Sequence, residues 1–306
     1  MNPNRTAESS DDLRPLLFSI AYEMLGVVGD AEDIVQEAFL RLERAEQAGT
    51  SVRSVRAYLT TVTARLAIDE LRSARVRRET YVGPWLPEPL VATAQSDPAQ
   101  AVEIADALSL SFLVLLEALT PVERAVFLLR EVFDFEYEEI GSIVAKTEPN
   151  CRQIFARARK RIDVGKPRFA VDREQHRKLA GRFIEVLETG DIESFVELLS
   201  ADVVFTGDGG GKGTGLPAPV HGRDRVMRLL QAFLSRWSAI GGRIEQTTIN
   251  GQPGTLNFDA DGRLINVLAF DIADGTIQAI SSIINPDKLR HLGYELSTIG
   301  RRSTSR

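Results

Sequence analysis

Five cationic side chains and one amide crowd into ten residues: Arg152, Gln153, Arg157, Arg159, Lys160 and Arg161. Guanidinium groups suit phosphate oxygens and guanine edges, and a glutamine amide can pair with adenine. Between them Cys151, Ile154, Phe155, Ala158 and Ile162 recur at helical spacing. The segment therefore predicts one helix with an apolar stripe and a basic outer face. The residues before it predict its partner. Thr120, Pro121 and Glu123 spell a capping box with proline at the first helical position. An apolar helix follows, then the short run Tyr137 to Val144, then a break at which Thr147 can cap the next helix. A short helix, a tight turn and a basic second helix describe a helix-turn-helix, in which the second helix enters the major groove of DNA. Arg152 and Gln153, near its start, are the candidate base readers. Arg157, Arg159 and Lys160 are candidate phosphate contacts.

A second basic run lies on a long helix whose stripe is Tyr58, Leu59, Val62, Leu66 and Leu71. Arg65, Arg72, Arg75, Arg77 and Arg78 stand on it with few acids nearby, which favours nucleic acid over a solvated charged face. Two earlier stripes predict two further helices. One contains Leu13, Leu16, Leu17 and Ile20, and the other, opened by Asp30 as cap, contains Ile34, Val35, Ala38, Phe39 and Leu42.

The chain has 306 residues and a net charge of −6, so the basic patches are local and acidic surface must lie elsewhere. That combination favours a protein with both a nucleic-acid and a protein partner. A single cysteine, on an apolar stripe, excludes a disulfide framework or a thiolate metal cluster, and His176, His221 and His291 lack ligand spacing. No cofactor or metal is expected. No membrane span or signal peptide is visible, which places the expected location in the cytoplasm with no membrane partner.

Residues 80–100, which contain Trp85, Leu86, Pro87, Glu88 and Pro89, predict a linker too apolar to be solvated. The run from Ala105 to Leu119 predicts a helix buried on several sides. Beyond residue 165 the character changes. Helices are predicted near 173–188 and 191–199, then strands over 243–249, 255–258, 263–272 and 276–284. The hairpin pairs Asn250-Gly251, Asp261-Gly262 and Asp274-Gly275 punctuate them. Helices followed by a meander predict an α+β domain.

These motifs resemble a known family. Two helical segments joined by a linker are similar to regions two and four of bacterial extracytoplasmic-function sigma factors. The run from Gly29 to Phe39 resembles the segment that grips core RNA polymerase. Leu66 to Arg72 resembles the promoter-melting segment, and Leu119 to Arg124 the opening of region four. The resemblance implies a multidomain protein, with all-α regions two and four followed by an α+β SnoaL-like cone of the nuclear-transport-factor-two superfold. The expected domains are a disordered 1–10, region two at 11–79, a linker at 80–100, region four at 101–164, a connector at 165–172, the SnoaL-like domain at 173–295 and a tail at 296–306.

It implies that Asp30, Glu32, Asp33, Ile34, Val35, Gln36 and Glu37 meet core polymerase. Promoter DNA would meet the basic residues named above, with the 148–162 helix on the minus-thirty-five element. Arg65 stands where many members carry asparagine, and arginine cannot accept hydrogen bonds. Regulatory contacts are implied at Trp85, Leu86 and Pro87, at Asp208, Gly209, Gly210, Gly211 and Lys212, and at Asn285, Pro286, Asp287 and Lys288. The 208–212 run fails as a phosphate loop, because Thr206 and Gly213 replace its required glycine and hydroxyl residue, and reads as a flexible loop. Asp271 and His221 are the possible polar groups of an enzyme, but nothing pairs an acid with an orienting base. A small ligand in a pocket of Phe205, Trp237, Phe258 and Phe270 is the alternative to plain core, and core is preferred. The alternative function is a ligand-sensing DNA-binding regulator independent of core polymerase.

Overall fold

The computed structural model describes residues 10–92, 104, 107–163, 181–182, 196–213 and 215–299. The expected helices at 173–188 and 191–199, the connector and the N-terminal stretch before residue 10 lie largely or wholly outside them. The chain forms two compact units, one of residues 1–77 and 116–164, the other of residues 78–115 and 165–306. The expected region four at 101–164 is thus divided, its first part packing with the C-terminal domain.

In the helical unit, α1 (Arg14–Leu25) ends on Gly26 at φ 69°, a left-handed turn that glycine adopts without a Cβ penalty. Val27 is extended and α2 (Val28–Gln47) starts immediately. Asp30 therefore sits in the first turn, where its charge opposes the helix dipole, and is not the cap expected. Helix α3 spans Val55–Glu79. Leu13, Leu17, Val35, Ala38, Leu42 and Leu59 close the core of these helices.

The predicted capping box is present. Thr120 Oγ1 accepts from the Glu123 N–H at 3.3 Å, and Glu123 Oε2 accepts from the Thr120 N–H at 3.0 Å. Helix α5 (Pro121–Glu131) follows it, and α4 (Leu110–Leu115), earlier in sequence, belongs to the other unit. A second box, Glu136 with Glu139, opens α6 (Tyr137–Val144). Gly141 is required there, because a Cβ would meet the Lys146 carbonyl at 2.7 Å. Helix α7 (Glu148–Asp163) begins directly after Thr147. Ile20 and Ala64 pack with Val126, Leu129, Ile140, Ile143, Cys151 and Ile154, so one core joins both sequence halves of this unit.

Of the predicted 105–119 helix, the described residues form α4 (Leu110–Leu115) in the other unit, continued by a 3-10 turn at Leu116–Ala118. The sheet comprises β1 (Leu199–Asp208), β2 (Val220–His221), β3 (Arg243–Ile249), β4 (Gln252–Phe258), β5 (Leu264–Ala273) and β6 (Thr276–Ile283), in the order β2-β1-β6-β5-β4-β3. It is not a pure meander, since β1 pairs parallel to β6. Helix α8 (Arg223–Ile240) was not anticipated, although Gly222, Val226, Leu229, Leu230, Phe233 and Gly241 carry its signal.

Strand alternation sends Leu268 and Phe270 to the face covered by α8. Val267 and Ala269 face Leu86, Val91 and Leu110. Both faces are covered, so every residue of β5 is buried. Two expected hairpins are tight turns with both residues left-handed, at Asn250 (49°) and Gly251 (68°), and at Asp274 (51°) and Gly275 (70°). The third is built differently. The Asp259 carboxylate accepts from the backbone of Asp261 and Arg263 at 3.0 and 2.9 Å. The expected tail begins later than residue 296, because Leu296 bridges Leu264 and Ser297 Oγ donates to Asp259 at 2.5 Å.

Candidate functional site

The α7 stripe is buried at Cys151, Ile154, Ala158 and Ile162. Gln153, Arg157, Arg159 and Lys160 stand exposed on its outer face. Arg152 is exposed but engaged. Its guanidinium pairs with Glu148 at 2.5 Å and lies 4.4 Å from the Tyr137 ring. Arg161 reaches the capping carboxylate of Glu123 at 2.8 Å. Burial works against the charge on Glu123, yet the hydrogen bonds from Thr120 and the nearby arginines hold its carboxyl below the usual range.

On α3, Arg72 pairs with Asp69 at 2.7 Å. Arg65 donates to the carbonyls of Ile143 and Ser142 at 2.9 and 2.8 Å. The side chains of Arg75 and Arg77 lie outside the described residues. Arg78 stacks 3.6 Å above the Trp85 ring.

The expected polymerase-binding segment divides by exposure. Glu32, Asp33 and Gln36 are exposed and Asp30 is half-buried. Ile34 and Val35 are 8% and 1% exposed. They pack the domain core, as the i, i+3, i+4 spacing demands, and cannot form a contact surface without unpacking it. Glu37 accepts from Arg41 at 2.8 Å, which lowers its carboxyl pKa.

The three expected regulatory motifs meet in the C-terminal unit. Asp208, read from sequence as part of a flexible loop, is 0% exposed at the end of β1. Its carboxylate accepts from the Tyr81 hydroxyl at 2.5 Å, the Leu86 N–H at 2.8 Å and the Lys288 ammonium at 2.6 Å. Strand β1 carries it there because its register with β6 ends at Asp208 and Ile283, just before the 285–288 motif. Lys288 also donates to the Leu86 carbonyl and lies 4.4 Å from the Trp85 ring. Asn285 donates to the Tyr81 oxygen at 2.8 Å and caps the turn by accepting from the Asp287 N–H at 3.1 Å. Lys212 pairs with Asp287.

Burial pushes the Lys288 ammonium down to about 8 against the pull of Asp208. Burial, with the charge and hydrogen bond of Asp208, raises the Tyr81 phenol. Pro87 and Pro89 are buried without an N–H to satisfy. The glycines are steric: a Cβ on Gly210 would meet Asn285 Nδ2 at 2.2 Å, and one on Gly211 would meet Val82 at 3.3 Å.

Two members of this site escaped the sequence reading. Tyr81 was only an apolar linker residue, and Asn250 only a turn former. Asn250 Oδ1 accepts from the Leu90 N–H at 2.9 Å and its Nδ2 donates to the Leu108 carbonyl at 3.2 Å. Val91 bridges Ile249 at the sheet edge, and the Ala92 N–H donates to Thr248 at 2.9 Å. The 81–92 segment is therefore a strap along the sheet.

The enzymatic candidates do not form a pair. Asp271 is 1% exposed, accepts from Ser111 of α4 at 2.5 Å, and has its pKa raised by burial against the serine hydrogen bonds. His221 is on β2, separated from β5 by two intervening strands. The aromatic pocket is not assembled either, because Phe258 packs on the strap face while Phe205 and Phe270 pack on the α8 face. The side chain of Trp237 lies outside the described residues.

A capped helix-turn-helix with a basic outer face, packed on a three-helix domain and tethered to an α+β sheet domain, defines a multidomain DNA-binding protein of the transcription machinery. Family models agree segment by segment: Sigma-70 region 2 matches residues 11–77, Sigma-70 region 4 residues 109–162, and the SnoaL-like domain residues 180–281. The chain is 36% identical to the ECF RNA polymerase sigma factor SigJ of Mycobacterium tuberculosis, over 90% of each chain. It is 35% identical to the probable ECF RNA polymerase sigma factor SigI of the same organism, over 92% of this chain and 94% of that one. The crystal structure of M. tuberculosis SigJ superposes with a TM-score of 0.76 at 33% identity, covering 96% of this chain and 100% of that one. The chain belongs to the extracytoplasmic-function family of RNA polymerase sigma factors, which direct core polymerase to promoters.

Proposed function

We propose that the SnoaL-like domain regulates this sigma factor by capturing the connection between regions two and four. The observation that carries the proposal is the burial of Asp208 beneath three donors, two from the strap and one from the 285–288 motif. The strap lies in sequence between the last helix of region two and the first of region four. Its docking shortens the free tether and so restricts where the two regions can reach.

Core polymerase meets the acidic face of Glu32, Asp33 and Gln36, with Asp30 and Glu37 beside it. Promoter DNA meets α7 through Gln153, Arg157, Arg159 and Lys160, with Arg152 joining once it leaves Glu148. Arg72, Arg75 and Arg77 of α3 lie along the melted segment. The protein acts in the cytoplasm beside polymerase and performs no covalent chemistry, since the buried Asp271 is held by serines and has no orienting base beside it. A small ligand is not required by this reading.

The test is run-off transcription with purified core polymerase, using the full chain, chains ending after residues 168 and 284, and Asp208→Asn. All forms should initiate at one start site, and their yields should differ. Asp208→Asn removes the countercharge of a buried lysine, which costs about 3 kcal/mol of strap docking, and should move the yield towards that of the chain ending after residue 284. Equal yields from all four would refute regulation by the domain. Failure of all four to initiate would refute the site assignments.

A further inference from the structure

The helical unit contains a second restraint, independent of the SnoaL-like domain. The last four carbonyls of an α-helix have no partner within the helix and carry the negative end of its dipole. Two helices here, one from each region, have such carbonyls satisfied by an arginine of the other region. Arg124, on α5 of region four, donates through Nε and Nη2 to the Glu23 carbonyl in the last turn of α1, at 3.2 and 2.9 Å. Its third nitrogen holds Glu117 at 2.5 Å, and the side chain is 1% exposed. Arg65, on α3 of region two, donates to the Ser142 and Ile143 carbonyls in the last turn of α6, at 2.8 and 2.9 Å. The apolar contact of Ile20 and Ala64 with Val126, Leu129, Ile140 and Ile143 lies in the same interface.

We propose that Arg65 and Arg124 form a reciprocal clamp that holds regions two and four closed in the free protein, and that polymerase and promoter must open it. The inference rests on the family membership but not on the proposed role of the C-terminal domain. A region that melts the start-site side of a promoter and one that reads the minus-thirty-five element serve sites roughly two duplex turns, about 70 Å, apart. Two regions joined by hydrogen bonds at 3 Å cannot occupy both. The Arg65 guanidinium becomes available to DNA only when α6 departs. Arginine rather than asparagine suits this position, because a five-donor fork reaches two consecutive carbonyls at once. Both arginines are positioning residues acting through the helix ends that they cap.

The test measures the separation of Ala57 and Lys146, both exposed, by electron-electron resonance. Spin labels are placed on non-canonical residues in the full chain, free and in the core-polymerase promoter complex. The free wild type should give one short distance and the complex a long one. Arg65→Gln, which alters an exposed side chain, should raise the open-to-closed ratio of the free chain at least roughly tenfold, and the double variant with Arg124→Met should raise it further. Arg65→Lys should fall between, since an ammonium lacks the planar fork. The same variants should associate faster with core polymerase, an effect that a purely structural role would not produce. Thermal melting guards against unfolding, and Arg65→Gln alone decides the matter if Arg124→Met fails to fold. An unchanged short distance in Arg65→Gln, or a short distance kept in the wild-type promoter complex, overturns the clamp.

Discussion

Lys288 shows how one residue can be both a lock and a liability. Its ammonium is 7% exposed and meets Asp208, yet burial outweighs that attraction and brings its pKa to about 8. The sign of the linkage follows from this depression. Between pH 8 and the ordinary lysine value of 10.5, Lys288 holds its proton in the released state and loses it in the docked one, so docking strengthens as pH rises through that window. Tyr81 acts in the opposite sense. Its raised phenol pKa means that above pH 10 only the released form loses its proton, and docking weakens. Mild denaturant titrations followed by Trp85 fluorescence in a Trp237→Phe background should therefore show a midpoint for strap release that climbs from pH 8, peaks just above pH 10 and falls beyond it. A midpoint that falls steadily from pH 8 would show that the ion pair with Asp208, not burial, dominates. Neither shift was visible in the sequence, because both depend on burial created by residues some 120 to 200 positions away.

Among the elements, the capped helices were the most legible. Thr120, Pro121 and Glu123 act within one turn, so their chemistry is local and the box forms as spelled. The strap was half legible: its prolines and aromatics predicted docking, and the resemblance rather than these residues pointed to the 208–212 and 285–288 motifs. The 208–212 run was misread. Its glycines look like flexibility in sequence, whereas in the fold they allow Asn285 and Tyr81 to approach the backbone. Gly210→Ala tests this at the element scale. With φ at 54° and a Cβ 2.2 Å from Asn285, the variant must displace Asn285 and Tyr81. Protease sensitivity of the 81–92 strap should rise at least severalfold while the melting temperature of the helical unit is retained. Unaltered protection of the strap would show that the glycine is not required for the lock. Helix α8 was legible in principle, since Val226, Leu229, Leu230 and Phe233 recur at helical spacing between Gly222 and Gly241.

For the whole molecule, the proposed function assigns the acidic and basic surfaces to different partners, and net charge conceals both. Complementary charge governs association rate more than it governs stability. Glu32→Gln combined with Asp33→Asn should slow association with core polymerase severalfold, flatten its salt dependence and leave thermal stability within about 0.5 kcal/mol. Stopped-flow binding at two ionic strengths would measure this, and an unchanged rate would move the polymerase contact elsewhere.

The sequence alone determined the local matters: the meander strands, the helices that carry the basic residues, the capping box at Thr120, which face of α7 is basic, and the family to which the motifs point. These follow from periodicities and caps that act over one or two turns. Tertiary structure alone decided that residues 78–115 belong to the C-terminal unit, that Asp208 is sealed, and that two arginines exchange helix ends between regions two and four. Each of these depends on which distant backbone removes a group from water or supplies its hydrogen-bond partner, and no local pattern encodes that.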